Sequence, residues 1–341
     1  MSGMLTGQRV LYVAPRFFGY EVAIRQELER RGAQVDWLPD RPFDTPLQKA
    51  VTRLGRSTVL PLANRLYRKM LSQWDARHYD WVFVVNGQTL SLEMLREIRR
   101  SFPMARTVLY AWDSIENRRG IVDNLGEFDA TFSFDPQCAK HFGMQLRPLF
   151  FSPGFSRPVT PDFDHHLSFI GTAHSDRYAV VSRLRDTLTA DIQAYWYLYL
   201  QAPWVYHAYK LAKPAMRRAS IAEFHFVPLD KATVQEVFGR SRAIVDIEHP
   251  LQRGLTMRTL ETVGARKKLV TTNRHVENYD FYRPGNVCII DRRAPAIPPS
   301  FLHSPYEELA PDVYQRYSIA GWMDELLSTD RSQHTPAPPS R

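Results

Sequence analysis

Short, wholly apolar runs alternate with amphipathic stretches along the chain, and the alternation occurs twice. RVLYVAP (9–15), bounded by Pro15 and Gly19, has the pattern of a strand buried on both faces. EVAIRQELERRG follows, with Val22, Ile24 and Leu28 at helical spacing and Gly32 suited to a C-cap; QVDWL (34–38) predicts the next strand. WVFVVNG (81–87), RTVLYAWDS (106–114), DATFSFD (129–135) and QLRPLFF (145–151) predict four more strands. SLEMLREIRRS, capped by Ser91, and PQCAKHFG are expected as helices between them. Strands alternating with helices in this way predict a doubly wound parallel sheet.

SPGFSRPVTPDFDHH (152–166) is rich in Pro, Gly and Ser without periodicity and reads as a linker. A second alternation then begins. HLSFIGTA, DIQAYWYLYL, EFHFVPL, SRAIVDIE, KKLVTTN and NVCIID are its expected strands. Helices are expected over SDRYAVVSRLRDTL, near 202–219, over KATVQEVFG and from Thr256 onward. The fold class expected is α/β, with two Rossmann-like doubly wound parallel-sheet domains. The division is 1–151, the linker 152–166, 167–304, closing helices over 305–327, and a disordered Ser/Pro/Thr-rich tail at 328–341.

Two stretches carry a choice of readings. Residues 46–77 have apolar positions at helical spacing, and Lys49, Arg53, Arg56, Arg65, Arg68, Lys69 and Arg77 stand against Asp75 alone. The plainer reading is a domain helix with a basic solvated face; the functional one is docking on an anionic membrane surface. YWYLYLQAPWVYHAY (195–209) is either an interfacial aromatic patch or a strand packed on both faces, and the packed strand is favoured.

Charge narrows the partners. The formal net charge of +8 points to anionic ligands or surfaces. Nucleic acid is the weakest of these, because the basic residues are not interleaved with aromatics in a recognisable module. Cys138 and Cys288 are too few and too far apart for a disulfide framework or a metal cluster, so no metal or cofactor is expected and a reducing cytoplasm is the simplest compartment. The N-terminus lacks a signal-peptide pattern, and no apolar run reaches the length of a membrane span. The first strand–loop–helix, APRFFGYE, has no G-x-G-x-x-G, and G-x-S-x-G, H-E-x-x-H and the P-loop pattern are likewise missing from the sequence.

Candidate chemistry lies where strands end. FIGTAHSDR (169–177) places Gly171, His174 and Arg177 around a helix start, which attracts phosphate. The plain alternative is that Ser175 caps the helix and Arg177 is solvated. The segment 241–273, SRAIVDIEHPLQRGLTMRTLETVGARKKLVTTN, carries more. Asp246 and Glu248 alternate on one strand face, and His249, Arg253, Gly254 and Thr256 fill the loop before a helix. Arg258 and Glu261 share a face of that helix. A pyrophosphate needs cations and N–H donors, and a ribose diol needs a carboxylate; Arg253, Arg258 and Glu261 supply both. Asp113 ends a strand of the first half. It suits equally a general base for an acceptor hydroxyl or a cap for the helix after Ser114, with Glu116 in its first turn.

The run GLTMRTLETVGARKKLVTTN, with Arg258-x-x-Glu261-x-x-Gly264 and a strand ending Thr271-Thr272-Asn273, resembles the donor-binding segment of spore-maturation (CgeB-like) glycosyltransferases. LYAWDSIEN, TFSFDPQCAKHFG and SFIGTAHSDRY resemble bacterial capsular or lipopolysaccharide biosynthesis proteins of that kind, so the likeness covers residues 80–327. The resemblance implies the GT-B architecture, two domains facing a cleft, and metal-independent transfer from a nucleotide-sugar donor to a glycan or lipid-linked acceptor. On it, Glu261 holds the donor ribose, Arg258 faces the phosphates, and Gly171 lines the diphosphate loop. The E-x7-E pattern of many retaining members is absent, since Glu248 and Glu261 are thirteen apart, and Glu248 and His249 receive no role. The full set of expected site residues is Asp113 and His174 as catalytic groups, with Gly171, Arg177, Glu248, His249, Arg253, Gly254, Thr256, Arg258 and Glu261 binding donor. A non-catalytic scaffold and a sugar-nucleotide epimerase of the same fold are the alternatives.

Overall fold

The apolar runs do become the central strands. A computed structural model describes residues 4–40, 56–74, 78–113, 119–159 and 162–328. The chain divides into two units, Met1–Pro148 with Trp322–Arg341, and Leu149–Gly321. In chain order the first unit holds β1 (Arg9–Ala14), α1 (Tyr20–Arg30), β2 (Gln34–Pro39), α2 (Arg56–Ser72), β3 (Trp81–Val85), α3 (Leu92–Ser101), β4 (Arg106–Ala111), β5 (Ala130–Ser133), α4 (Pro136–Phe142) and β6 (Gln145–Leu146). All pairs are parallel, in the order β2-β1-β3-β4-β5-β6.

Both faces of this sheet are covered. Leu11, Val13, Val82, Val84 and Leu109 meet the buried residues of α2 and α3 on one side. On the other, Phe83 and Tyr110 meet Trp322, with ring centroids 6.0 and 4.8 Å away. Trp322 is fully buried, so the last described helix supplies a core residue to the first unit. Arg31, also buried, joins Glu27 at 2.8 Å to Asp324 at 2.6 Å. Ser91 caps α3 through a bond from the Met94 amide, as its spacing predicts. QLRPLFF is mostly not a strand: Gln145–Leu146 pairs with β5, Phe151 makes an isolated bridge to Ser318, and Pro148 between them has no amide to continue the ladder.

The expected basic helix is α2. Its positions Val59, Ala63 and Tyr67 are buried in the first unit's core, while Arg65, Arg68 and Lys69 are exposed. The apolar stripe therefore serves the domain rather than a bilayer. Residues 46–55 and 75–77 of that segment lie outside the described residues, as do Ser114, Glu116 and the tail from 329.

The second unit holds β7 (His165–Thr172), α5 (Arg177–Thr187), β8 (Ala194–Tyr199), α6 (Pro203–Ala212), β9 (Phe224–His225), α7 (Lys231–Gly239), β10 (Ser241–Asp246), α8 (Met257–Gly264), β11 (Lys268–Thr271), β12 (Val287–Ile289), α9 (Pro299–His303) and α10 (Pro311–Arg316), and α11 (Ile319–Ser328) begins in it. Its strands are parallel in the order β12-β11-β10-β7-β8-β9. Leu167, Phe169, Ala243 and Val245 face one core, and Ile170 and Ile244 the other. In the aromatic stretch, Trp196 and Leu198 join the first core and Tyr195 and Tyr197 the second, so β8 is packed on both faces. The segment 152–166 belongs to this unit and buries Phe155 against Phe238, ring centroids 5.4 Å apart. A Cβ at Gly264 would lie 2.5 Å from the Phe151 ring, which is why α8 ends on a glycine there.

Candidate functional site

The strand order of the second unit fixes where a ligand would sit. The sheet starts at β7 and grows outward through β8 and β9, then resumes on the opposite side of β7 with β10. The connections leaving β7 and β10 therefore diverge, leaving a crevice at the carboxyl ends of these two strands. The loops there are those of residues 173–176 and 247–256, which carry most of the polar residues singled out in the sequence.

On the β7 side, Gly171 lies within the strand, paired with Leu198, and is not at the turn. A side chain there would meet the Phe169 ring at 2.9 Å. The left-handed residue of the loop is Ser175, φ 50°, and Asp176 rather than Ser175 holds the N-cap position of α5, with no side-chain capping bond. Arg177 is not solvated. Its Nε donates to the Ile247 carbonyl at 2.6 Å, and its Nη1 lies 3.1 Å from His174 Nε2. A guanidinium only donates, so this ring nitrogen must carry a lone pair and His174 must be neutral. Burial, then the charges of Arg177, His249 and Lys213, push His174 down to about 4. It offers hydrogen bonds to a ligand rather than charge. Lys213 adds a bond from Nζ to the Ser175 carbonyl at 3.0 Å, tying the end of α6 to this loop.

On the β10 side, Asp246 accepts from the Thr256 and Thr259 hydroxyls, each at 2.6 Å. Thr256 also caps α8, accepting from the Thr259 amide. Glu248 is buried and clamped: Thr272 donates to one carboxylate oxygen and Arg292 to the other, both at 2.5 Å. Burial raises its pKa, against the lowering effect of those two hydrogen bonds. Gly254 is buried, and its carbonyl accepts from Gln252 at 3.0 Å and Asn273 at 3.4 Å, which fixes the loop. Arg253 and His249 are exposed at its surface, with the His249 ring 6.4 Å from that of His174.

Arg258 and Glu261 sit on α8. Glu261 is buried, at 4% exposure. The Arg258 guanidinium stacks 5.6 Å over the Phe238 ring, and its Nη1 is buried with no hydrogen-bond partner among the described residues. An unpaired buried donor costs about 1–3 kcal/mol, more for a charged group. A cation so placed is poised for an anion. Arg177 senses both the Arg258 charge and the carboxylates Asp246 and Glu248.

The structure thus gathers His174, Arg177, Glu248, His249, Arg253, Gly254, Thr256 and Arg258 around one sheet crevice. Asp113 stands apart, in the first unit. There it follows β4, and Asn86 Nδ2 donates to its carboxylate at 3.1 Å. Sequence reasoning missed Arg292, which bonds Asp176 at 2.9 Å as well as Glu248, and it missed Lys213 and the structural part played by Thr272. Arg292 follows the strand predicted over NVCIID, so the strand-end rule applied there identifies it.

Two parallel, doubly wound α/β units of this kind define the GT-B fold class. The structure is similar to that of HepE from Anabaena in complex with UDP and glucose, with TM-score 0.55 at 10% identity over 94% of this chain and 99% of that one. It is similar to the catalytic domain of starch synthase IV from Arabidopsis thaliana bound to ADP and acarbose, with TM-score 0.54 at 8% identity over 96% of each chain. At such identities the likeness is one of fold. No protein-family model matches the sequence, and no curated protein matches it. Among the described residues, no helix is long and apolar enough to cross a membrane.

Proposed function

We propose that the chain is a glycosyltransferase that takes a nucleotide-sugar donor at the crevice between β7 and β10 and passes the sugar to a cell-surface glycan or lipid-linked acceptor. The observation that carries the reading is Arg258, whose buried Nη1 has no hydrogen-bond partner among the described residues. A diphosphate supplies the missing acceptor oxygens. Arg177 and Arg253 add charge, His174 adds a hydrogen bond, and the start of α8 adds free backbone N–H groups. Glu261 is the carboxylate for the ribose diol. Glu248, held by Arg292 and Thr272, forms the wall beneath. The like-folded HepE and starch synthase IV are held with UDP and ADP, which supports a nucleoside diphosphate as the ligand.

In the transfer, a bond forms from the acceptor oxygen to the sugar's anomeric carbon. The bond from that carbon to the phosphate oxygen breaks, and the diphosphate leaves with the electron pair. Fixed cations stabilise the charge as it develops on the leaving group. Asp113 takes the acceptor's proton or orients its hydroxyl. The exposed Arg65 and Lys69 of α2 would meet the anionic surface on which a lipid-linked acceptor resides.

The test is a thermal-shift screen against UDP-, GDP-, ADP-, dTDP- and CMP-sugars, repeated by calorimetry on Arg258→Ala and Glu261→Ala. One donor class should stabilise the wild type, and each variant should lose that binding while keeping its circular-dichroism spectrum. Unchanged donor affinity in Arg258→Ala would remove the site assignment.

A further inference from the structure

Each unit carries a pocket among the described residues. The first unit's pocket has Tyr12, Asn86 and Trp112 in its lining. That of the second unit is a cleft beside the end of α8 and the start of β11, with about 250 Å³ of space open to solvent. It holds a lysine that the donor site does not use, and the neighbouring lysine shows what is unusual about it.

Lys267 and Lys268 are both buried, at 6% and 1% exposure, yet their ammonium groups are treated oppositely. Lys268 Nζ donates to the Gly285 carbonyl at 2.8 Å, the Phe301 carbonyl at 2.8 Å and Ser304 Oγ at 2.5 Å. Three acceptors match its three donors, so the cation is held. Lys267 has none: among the described residues its side chain makes no hydrogen bond and no ion pair. It lines the cleft instead, where Leu269, Phe281, Val287 and Leu309 form apolar walls. Two polar side chains of the lining are already engaged. Thr262 Oγ donates to the Arg258 carbonyl at 2.7 Å, and the Asn286 amide exchanges bonds with the Glu307 backbone at 2.7 and 2.8 Å. The one charge acting on Lys267 is that of Arg157, of like sign. An ammonium without acceptors is costly to bury, and a second cation adds to the cost. Burial, then the Arg157 charge, bring this amine down to about 8. At about pH 7.5 roughly a quarter of such groups are neutral, against about one in a thousand for an ordinary lysine.

We infer that Lys267 is a carbamylation site, whose amine captures carbon dioxide inside the cleft. The Nζ lone pair attacks the carbon, one C=O electron pair moves onto oxygen as the N–C bond forms, and an N–H proton passes to water or buffer. Nothing is oxidised or reduced. The product is an anion, so the Arg157 charge that disfavours an ammonium favours the carbamate at the same atom. That sign argues against an imine formed with an aldehyde, whose protonated form would restore a cation there. Carbon dioxide also suits the walls: it is small, uncharged and carries no donor to be stripped of water. The half-buried Tyr306 keeps a hydroxyl donor in the same lining, held protonated by burial and by the Glu308 charge.

The test equilibrates the full chain with isotopically labelled carbon dioxide and bicarbonate at about pH 7.5. A trialkyloxonium salt traps any carbamate as its ester, and peptide mass spectrometry reads each lysine separately. Lys267 should take up label in proportion to carbon dioxide, roughly a hundredfold above the exposed Lys69 and Lys140, the scale of the ratio of neutral fractions. Arg157→Gln should lower the label at Lys267 severalfold, because it both restores the ammonium and removes the charge that favours the anion. Folded wild type without label at Lys267, or with no more than the exposed lysines carry, would overturn the site. Label unchanged in Arg157→Gln would overturn the electrostatic choice of a carbamate. Cyanate, whose acid form is a neutral isostere of carbon dioxide, separates access from stabilisation. Carbamoylation of Lys267 by cyanate without any label from carbon dioxide would show a reachable amine that does not hold the anion, and would also overturn the proposal. The labelling is read on wild type, so a Lys267→Met control that fails to fold leaves the test standing. No arm of it depends on donor binding, so a failed nucleotide screen and a failed labelling are told apart.

Discussion

Arg292 holds Glu248 twice, donating from one nitrogen to the carboxylate at 2.5 Å and to the backbone carbonyl at 2.8 Å. Its other nitrogen bonds Asp176 at the start of α5, 2.9 Å away. One side chain from beyond β12 thereby ties together the two loops of the candidate site. Glu248 has only 7% of its side chain exposed, so removing its partner leaves a buried charge uncompensated. Arg292→Met should cost about 3–5 kcal/mol at pH 7, the scale for breaking one side of a buried pair. The raised pKa of Glu248 sets the sign of the pH effect. The folded state binds its proton more tightly than the unfolded state, so the penalty shrinks as the pH falls toward that pKa. Urea midpoints at pH 7 and pH 5 measure both statements, and adding Glu248→Gln to Arg292→Met should recover most of the loss.

His174 gives a second pH signature of opposite sense to Glu248's. Its folded pKa, about 4, lies below the usual 6.5, so the unfolded chain takes up the proton first. The groups facing it are Arg177, His249 and Lys213, which lower the value, and Asp176, which raises it. Its contribution is complete above pH 6.5 and is lost as the pH falls from 6.5 to 4, by at most about 3 kcal/mol. His174→Gln should flatten the acid side of the stability profile across that window. A profile identical to wild type would mean that the ring is not neutral in the folded protein.

Much of this was legible in the sequence, and the exceptions have physical reasons. RVLYVA, WVFVV and SRAIVD read as strands because both their faces are buried, and each is one. The strand ends were less legible: QLRPLFF kept the apolar composition but continued the strand only to Leu146, with Phe151 left in an isolated bridge to Ser318. At the site, residues adjacent to strong strands could be placed from their position, as with His174, Arg177 and Glu248. Arg292 follows a strand of three residues, and its partners Asp176 and Glu248 are 116 and 44 positions away. Its place after that strand marks Arg292 as a candidate, but nothing local marks its partners. The turn chemistry also misled. Gly171 suggested a tight turn, but the left-handed position fell on Ser175, held by Lys213 from another helix.

Asn86 bears on the first unit's pocket. Its φ is 64°, and its Oδ1 accepts from the Trp112 amide at 2.8 Å and the Asp113 amide at 3.2 Å. Two costs can be separated by substitution. Asn86→Gly keeps the left-handed backbone and loses the bonds, about 1–3 kcal/mol for the buried amides left behind. Asn86→Ala loses the bonds and adds the Cβ penalty of that conformation, about 1–2 kcal/mol more. Chemical denaturation should rank wild type above glycine and glycine above alanine. Alanine equal to glycine would show that the strained backbone relaxes in the variants.

The solvent face of α2 gives the prediction that separates a lipid-linked from a free glycan acceptor. Val59, Ala63 and Tyr67 are committed to the core, so the helix cannot insert an apolar face and any attraction to a membrane must be electrostatic. Arg68 is largely compensated, bonding Glu93 at 2.7 Å and Glu97 at 2.9 Å. Arg65 and Lys69 are left to act, each worth about 1 kcal/mol near an anionic leaflet. Sedimentation with phosphatidylglycerol vesicles should therefore carry the protein down at low salt and release it as salt rises. Arg65→Gln with Lys69→Gln should weaken partitioning about thirtyfold, the equivalent of roughly 2 kcal/mol. Both positions are exposed, so melting temperatures should stay within a degree or two of wild type. Vesicle binding that is indifferent to salt and to both substitutions would exclude this face and leave a soluble glycan as the acceptor to pursue.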